Sequence, residues 1–305
     1  MSDFHAHLED VDHEHPAHRF PFFRFITVTL AQTALFLWLF SWLWPERFQM
    51  EMAQPGWIIL TTFLFGLPMS LFEYLYHRYL LHSAVLPFLG TMHSCHVTHH
   101  GLTYVKAPVS KKEPEKMVEV DSEYPIVEEH QEESMMFPFF SVSVFYVLFL
   151  SLFGLPIFWL APSVPIFSSI IFCVTLSYAG YEFWHALLHL PFERHWQPLY
   201  QHKRFGRMVQ YIYSFHLMHH FRPTCNLAVV GFWGVALWDH VFRTHRRPVH
   251  MPLDGAKINY LDVELRKPVW PISQLDKWQG GLYRTSRKLE AWAAKVFLRR
   301  SATSK

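Results

Sequence analysis

The chain predicts an all-α, polytopic membrane protein: four transmembrane helices in two hairpins, with a cytosolic helical cap carrying a histidine-rich dimetal site. Three observations predict it. Of 305 residues 51% are hydrophobic and only 17% charged, which is apolar for a soluble protein of ordinary size. Four apolar stretches come near the roughly 20 residues that a spanning helix needs. Histidines recur in four groups, most of them at helical spacing, near the ends of those stretches.

Residues 1–20 are acidic and histidine-rich rather than basic and then apolar, so they do not read as a cleavable signal peptide. His5, His7, His13, His15 and His18 follow no regular spacing there, and a disordered polar tail is expected. The four spans are residues 21–44, 56–76, 137–160 and 164–183, with few internal charges, mainly Arg24 and Glu73 near the ends. Pro68, Pro156 and Pro165 would also suit buried helices of a large soluble core, but four such stretches in one chain weigh against it. The turns at 45–55 and 161–165 hold a single basic residue, Arg47. Of the 27 Lys and Arg, 24 fall in residues 78–136 or after Trp184, which the positive-inside tendency makes the cytoplasmic side. A bacterial inner membrane or the endoplasmic reticulum is the expected location. Every clustered histidine then lies at one membrane face.

In "FHLMHH", His216, His219 and His220 stand at i, i+3 and i+4, so a helix projects them from one face. "HSCHVTHH" repeats the spacing with His96, His99 and His100, and His93 extends the row by another turn. His185 and His189 in "YEFWHALLH" are at i and i+4 after the fourth span. His77 and His82 in "HRYLLH" are five apart, so the helix is expected to end or bend between them. Ten imidazoles in four spaced groups suit two metal ions with about five ligands each. Packed without a cation, they would leave donors and acceptors short of partners and repel on protonation.

"HRYLLH", "HVTHH", "HALLH" and "HLMHH" resemble the HX4H, HX2HH, HX3H and HX2HH boxes of the fatty acid hydroxylase and sterol desaturase superfamily of integral-membrane di-iron enzymes. "WDHVFRTHRRP" resembles the family's closing WDxxFGT segment, with Arg243 where glycine is usual. The likeness runs from Glu73 to Pro248. It implies O2-dependent modification of an unactivated C–H bond of a lipid, most often hydroxylation. The alternative within the family is desaturation; outside it, a membrane metal transporter or a heme cytochrome. Breaking an alkyl C–H bond with O2 needs a metal that changes oxidation state, so two iron ions are the expected cofactor, with O2 as cosubstrate. Zinc in purified protein would not contradict this, because such sites hold zinc more tightly than ferrous iron.

The ten ligands expected on this basis are His77, His82, His96, His99, His100, His185, His189, His216, His219 and His220, with His93 a further candidate. Each needs a partner on its other ring nitrogen. Glu73, one turn before His77, and Glu182, one turn before His185, are expected to reach back as such partners, and Asp239 is a third candidate. A carboxylate snorkelling to the interface is an equally open reading of either glutamate. His202 and His240 read as ordinary surface histidines.

Three domains are expected: the tail 1–20, the membrane and di-iron domain 21–250, and a basic segment 251–305. Residues 103–134 read as a charged solvated loop placed to act as a flap. Residues 226–242 are apolar but short, and so re-entrant or interfacial. Leu282, Leu289, Trp292, Ala293 and Val296 line up among basic residues as an amphipathic helix, lying on anionic headgroups or packed on the cytosolic domain. The chain shows no flavin or dinucleotide glycine motif and no HPGG heme site, so a separate electron donor of ferredoxin or cytochrome b5 type is expected at the basic face, which has 19 Lys and Arg after Trp184. The substrate is expected to be a lipid entering from the bilayer, and no nucleic-acid partner is expected. Cys95, Cys173 and Cys225 are isolated, and no disulfide is expected.

Overall fold

Apolar runs this long can satisfy their backbone groups in a bilayer only by becoming helical, and the chain is mostly helix. The computed structural model describes residues 21–83, 90–106, 112, 115–117, 119–121, 131, 134–190, 192–247 and 257–303. The tail expected over 1–20 lies outside the described residues. The first span is α1 (Phe22–Leu43), followed by a short α2 (Pro45–Met52) and the second span α3 (Pro55–Tyr76). A π-helical turn (His77–Leu81) extends α3, and α4 (Gly90–Leu102) follows. The third span is α5 (Ser141–Phe149), a π-helical turn (Leu150–Gly154) and α6 (Leu155–Leu160); the fourth is α7 (Ile166–Leu188). Beyond it come the short α8 (Gln197–Tyr200), α9 (Gly206–Phe221), α10 (Leu237–Val241), α11 (Tyr260–Val263) and the long α12 (Ile272–Thr303).

Among the described residues four helices are therefore long and apolar enough to cross a membrane, the build of an integral membrane protein. The third begins four residues later than the apolar run, and the fourth continues to Leu188, which puts His185 inside the helix rather than after it.

The fourth span is the centre of the bundle, packing against α3, α1 and α5. Its first half is buried through Ile166, Phe167, Ser168, Ser169, Ile170 and Ile171, and the two serines allow close helix approach. Phe25, Phe65, Met69, Val142, Tyr146 and Phe149 complete that core. The Tyr146 hydroxyl meets Thr33 Oγ1 at 2.9 Å and Thr175 Oγ1 at 2.7 Å, satisfying two buried hydroxyls and a half-buried one between α1, α5 and α7. Outward-facing Trp38, Trp42, Ile59, Trp159 and Leu160 are exposed.

At one end of the bundle, Arg47 of α2 pairs with Glu51 at 2.9 Å and donates to the carbonyls of Pro162 and Val164. Glu51 accepts from the Ser168 backbone N–H at 2.8 Å. The turns 45–55 and 161–165 thus touch, and α3 and α7 both run from this contact toward the histidines.

The segment expected to be a solvated loop is more structured than that. Strand β1 (Tyr104–Lys106) pairs antiparallel with β3 (Glu119–Asp121), and β2 (Glu115–Met117) with β4 (Lys257–Asn259). Val105 and Ile258 are buried in one core with Leu188, Trp196 and Tyr213. Three-residue strands are too short to leave a period-2 pattern in so charged a stretch. The rest of the segment lies outside the described residues.

Residues 226–236 form a loop along the second span. Trp233 Nε1 donates to the Phe63 carbonyl at 2.9 Å, about 21 Å along the helix from His77 at 1.5 Å per residue. Gly66 makes this possible, because a Cβ there would overlap the Trp233 indole. On α12, Trp278, Leu282, Leu289 and Trp292 are exposed, while Arg78 binds Asp276 through Nη2 at 2.7 Å and fixes the helix start to the π-turn. The side chains of Ala293 and Val296 lie outside the described residues.

Candidate metal centre

The π-turn resolves the five-residue spacing of His77 and His82. One inserted residue widens the turn, the His82 N–H donates to the His77 carbonyl at 3.2 Å, and the two rings stack with centroids 5.0 Å apart. His185 and His189 need no such device, because an ordinary helical turn puts their rings 4.8 Å apart.

All ten expected histidines converge, in two groups of five. One group is His77, His82, His96, His100 and His219; the other is His99, His185, His189, His216 and His220. Within each, one ligand nitrogen per ring lies within 4.8 Å of every other. The π-turn after α3 supplies two members to the first group and the end of α7 two to the second. Each of α4 and α9 then divides its three: the i, i+4 pair goes to one group and the middle residue, His99 or His219, crosses to the other. The groups adjoin where His100 stacks on His220 at 4.2 Å.

Nitrogen contacts within the groups are short and shared. His96 Nε2 is 3.2 Å from His77 Nε2 and 3.1 Å from His82 Nε2; His82 Nε2 is also 3.2 Å from His219 Nε2. In the second group, His216 Nε2 is 2.9 Å from His189 Nε2 and 3.1 Å from His220 Nε2. A neutral imidazole nitrogen carries either one proton or one lone pair, so chains of mutually facing Nε2 atoms cannot all be hydrogen bonds. Nitrogens about 2.1 Å from a common ion would stand ~3 Å apart at right angles and ~4.2 Å apart when opposite, which matches the spacing. The ring nitrogens of His99 and His100 are buried and find no hydrogen-bond partner among the described residues, and neither does His220 Nδ1. Five nitrogens aimed at a point, several with nothing else to bind, fit a metal ion in each group. The clusters can therefore hold metal.

Backbone carbonyls set two tautomers. His77 Nδ1 lies 2.6 Å from the Leu227 carbonyl and His219 Nδ1 2.9 Å from that of Cys225. A carbonyl only accepts, so both rings carry their proton on Nδ1 and turn an Nε2 lone pair toward the group. Burial, reinforced by neighbouring imidazoles, holds His82, His96, His99, His100, His216, His219 and His220 well below the ordinary imidazole range. Burial lowers His189 to about 3. These eight are neutral at pH 7, the form that binds metal.

Among the described residues, the expected carboxylate partners do not hydrogen-bond to the ring of any of the ten histidines. Glu73 accepts from the backbone N–H groups of Val229, Val230 and Gly231 at 2.6, 3.0 and 2.9 Å, and so anchors the loop beside the second span. Glu182 accepts from the Phe137 N–H at 3.0 Å. Residues one turn back on a helix share a face with the histidine, but here that face meets another segment whose free N–H groups compete for the carboxylate. Asp239 acts at one remove. Its oxygens accept from the N–H groups of Leu227 and Ala228, both at 3.0 Å, and from Thr244 Oγ1 at 2.8 Å, fixing the peptide whose carbonyl orients His77.

His93 joins neither group; its Nδ1 bonds the Leu81 carbonyl at 2.8 Å. His202 is exposed and accepts from the N–H groups of Arg204 and Phe205. His240 is exposed too, with its Nδ1 on the Ala236 carbonyl. Sequence reasoning missed Asn226. It is buried at left-handed φ (52°), between the two carbonyls that orient His219 and His77. Its amide donates to the carbonyls of Phe215 (3.2 Å) and Arg246 (3.0 Å) and accepts from the Arg246 N–H (2.8 Å). The signal was available only in part: asparagine tolerates left-handed backbone better than other non-glycine residues, but nothing local marked this one.

Two cavities reach the histidines. A small one of about 60 Å³ lies among the spans, lined by Met69, Phe72, Tyr76, His77, Phe149 and Tyr178 among others. A larger one of about 590 Å³ lies between the end of α7, α9 and the 228–236 loop, with His216 in its wall. Comparisons with family models, with curated proteins and with solved structures find no match.

Proposed function

We propose that this protein is a membrane di-iron oxygenase that hydroxylates an unactivated C–H bond of a lipid. The observation that carries the reading is the division of ten histidines, seven buried and three half-buried, into two adjoining groups of five, each with its nitrogens within 4.8 Å. The resemblance of the four histidine boxes to the fatty acid hydroxylase and sterol desaturase superfamily agrees with it. So does the setting, at the ends of apolar helices beside an apolar cavity.

A pair of iron ions, when bound, would supply the redox chemistry: a C–H bond, O2, two electrons and two protons give C–OH and water. The chain's own part is geometric. Its ten imidazoles hold the ions, and the carbonyls of Leu227 and Cys225 keep His77 and His219 in the metal-binding tautomer. The apolar walls around His77 and His216 exclude water from the substrate carbon. The two electrons come from a separate carrier of ferredoxin or cytochrome b5 type docking on the basic face. Two hairpins with the histidines cytosolic complete the reading. Contact between the turns 45–55 and 161–165, and the run of α3 and α7 away from it, support that topology.

The experiment is lipid mass spectrometry of cells with and without the gene, alongside iron-dependent O2 consumption by the purified protein. A lipid gaining one oxygen in the expressing cells is the expected result, abolished by His99→Ala without loss of membrane insertion. Loss of two hydrogens instead would make the protein a desaturase. No lipid change with iron-loaded protein and a competent donor would overturn the reading.

A further inference from the structure

The larger cavity has a polar rim that the proposed chemistry does not use. Its inner wall is apolar: Gly180, Phe183 and Trp184 from the fourth span face Ile212 of α9 and Val230 of the loop. Gly180 leaves room there, since a Cβ would already stand 3.4 Å from Val230. His216 of the second metal group forms part of this wall. At the rim stand Tyr211 and His240, both exposed to solvent. Behind them, His245 Nε2 meets the Tyr211 hydroxyl at 2.7 Å and its ring stacks on His240 at 4.0 Å.

Basic side chains from two segments act on this rim. Arg246, Arg247 and Arg266 all bear electrostatically on His245, and Arg247 on Tyr211. Asp239 acts on Tyr211 more strongly than Arg247 does, but its oxygens are taken by two backbone N–H groups and Thr244. Two stacked imidazoles within electrostatic reach of three arginines form an arrangement that would favour an anion. A volume of about 590 Å³ falls in the range of pockets that enclose one small ligand, ~300–1,000 Å³, and suits one hydrocarbon chain rather than two.

We propose that this cavity binds a single hydrocarbon chain ending in an anionic headgroup, the chain lying along Phe183 and Gly180 and the anion held at the rim by Tyr211, His240, His245 and Arg247. A carboxylate and a phosphate share the required chemistry. The assignment names the substrate class of the proposed oxygenase and rests on that reading for its catalytic meaning, but binding itself requires neither iron nor O2.

The test is competition for tritiated palmitate on the full-length, zinc-loaded protein in detergent, by scintillation proximity. Unlabelled palmitate, 1-palmitoyl lysophosphatidate, hexadecanol and cholesterol are the competitors. Palmitate, the lysophosphatidate or both are expected to compete at least about tenfold better than hexadecanol, and which acid wins identifies the headgroup. Arg247→Glu changes an exposed residue and is expected to bring the acids to within about threefold of the alcohol. Gly180→Phe is expected to weaken all single-chain competitors together. Absence of saturable binding by the unaltered protein, equal or better competition by hexadecanol or cholesterol, or an acid preference unchanged in Arg247→Glu would each overturn the proposal. Oxidation of a neutral lipid with no acid preference would sink this inference alone; acid-selective binding without any oxidation would sink only the oxygenase reading.

Discussion

His77 donates its Nδ1 proton to the carbonyl of Leu227, 2.6 Å away in space and 150 positions along the chain. That bond links the last turn of a spanning helix to a loop whose conformation is set by Asn226 and Asp239. The orientation of a ring in the first histidine group is thus decided by residues that belong to neither histidine group.

Asn226→Ala should therefore act selectively. It removes the amide bonds to Phe215 and Arg246 and leaves a less tolerant residue at left-handed φ, letting the carbonyls of Cys225 and Leu227 drift from His219 and His77. Loss of such an outer partner costs roughly 10–100-fold in metal affinity. Metal titration should show one weakened and one unchanged ion, since both affected rings belong to the same group. Equal weakening of both ions would contradict the assignment.

The loop beside the second span should be sensitive to Gly66. In Gly66→Ala the added methyl overlaps the Trp233 indole, and overpacking of this kind costs ~1–3 kcal/mol. Truncating the indole removes the clash, so Gly66→Ala and Trp233→Ala should combine to less than the sum of their separate costs in thermal unfolding. Strict additivity would mean that the two do not meet.

Arg243 occupies a left-handed position (φ 60°) with its side chain exposed. It is the position where the resembling segment usually has glycine, and glycine adopts this backbone without strain. A non-glycine residue there costs ~1–2 kcal/mol, part of which the greater freedom of unfolded glycine cancels. Arg243→Gly should raise the melting temperature slightly, by up to ~1 kcal/mol of stability. A clear fall would show that the Arg243 side chain carries weight of its own.

Acid should release the metal and loosen the fold together. Unfolded histidines take up protons near pH 6.5, whereas His82, His96, His99, His100, His216, His219 and His220 are held well below that and His189 at about 3. Below pH 6.5 the unfolded state binds more protons than the folded one, so the contribution of these rings to stability is full above that pH and declines as pH falls. Melting temperature measured from pH 8 to pH 5, with and without a chelator, should drop on the acid side in both series, starting lower in the chelated one. Stability that rises on acidification would contradict the neutral state of the cluster.

Much of this was legible in the sequence because it depends on short-range periodicity. Apolar runs of spanning length mark the four long helices, and i, i+3, i+4 spacing marks the faces of His96, His99, His100 and His216, His219, His220. What was hidden depends on partners far apart in the chain. Local spacing cannot say that His99 and His219 cross to the opposite group, because that follows from how α4 and α9 face each other. Glu73 and Glu182 sit one turn from a histidine, yet the segments packed over them supply better donors. The five-residue step at His77 and His82 signalled a departure from α-helix without revealing that a π-turn keeps both rings together. Strands of three residues, such as Tyr104–Lys106, are too brief for any pattern.

The most direct test of the two-centre arrangement is the metal content of the purified full-length protein, measured by elemental analysis alongside a His99→Ala variant. Two first-row transition-metal ions per chain are expected, iron or zinc according to supply, with the variant losing affinity in one centre and keeping the other. No more than one tightly bound ion per chain after saturation, or a variant that binds both as well as the unaltered protein, would contradict it.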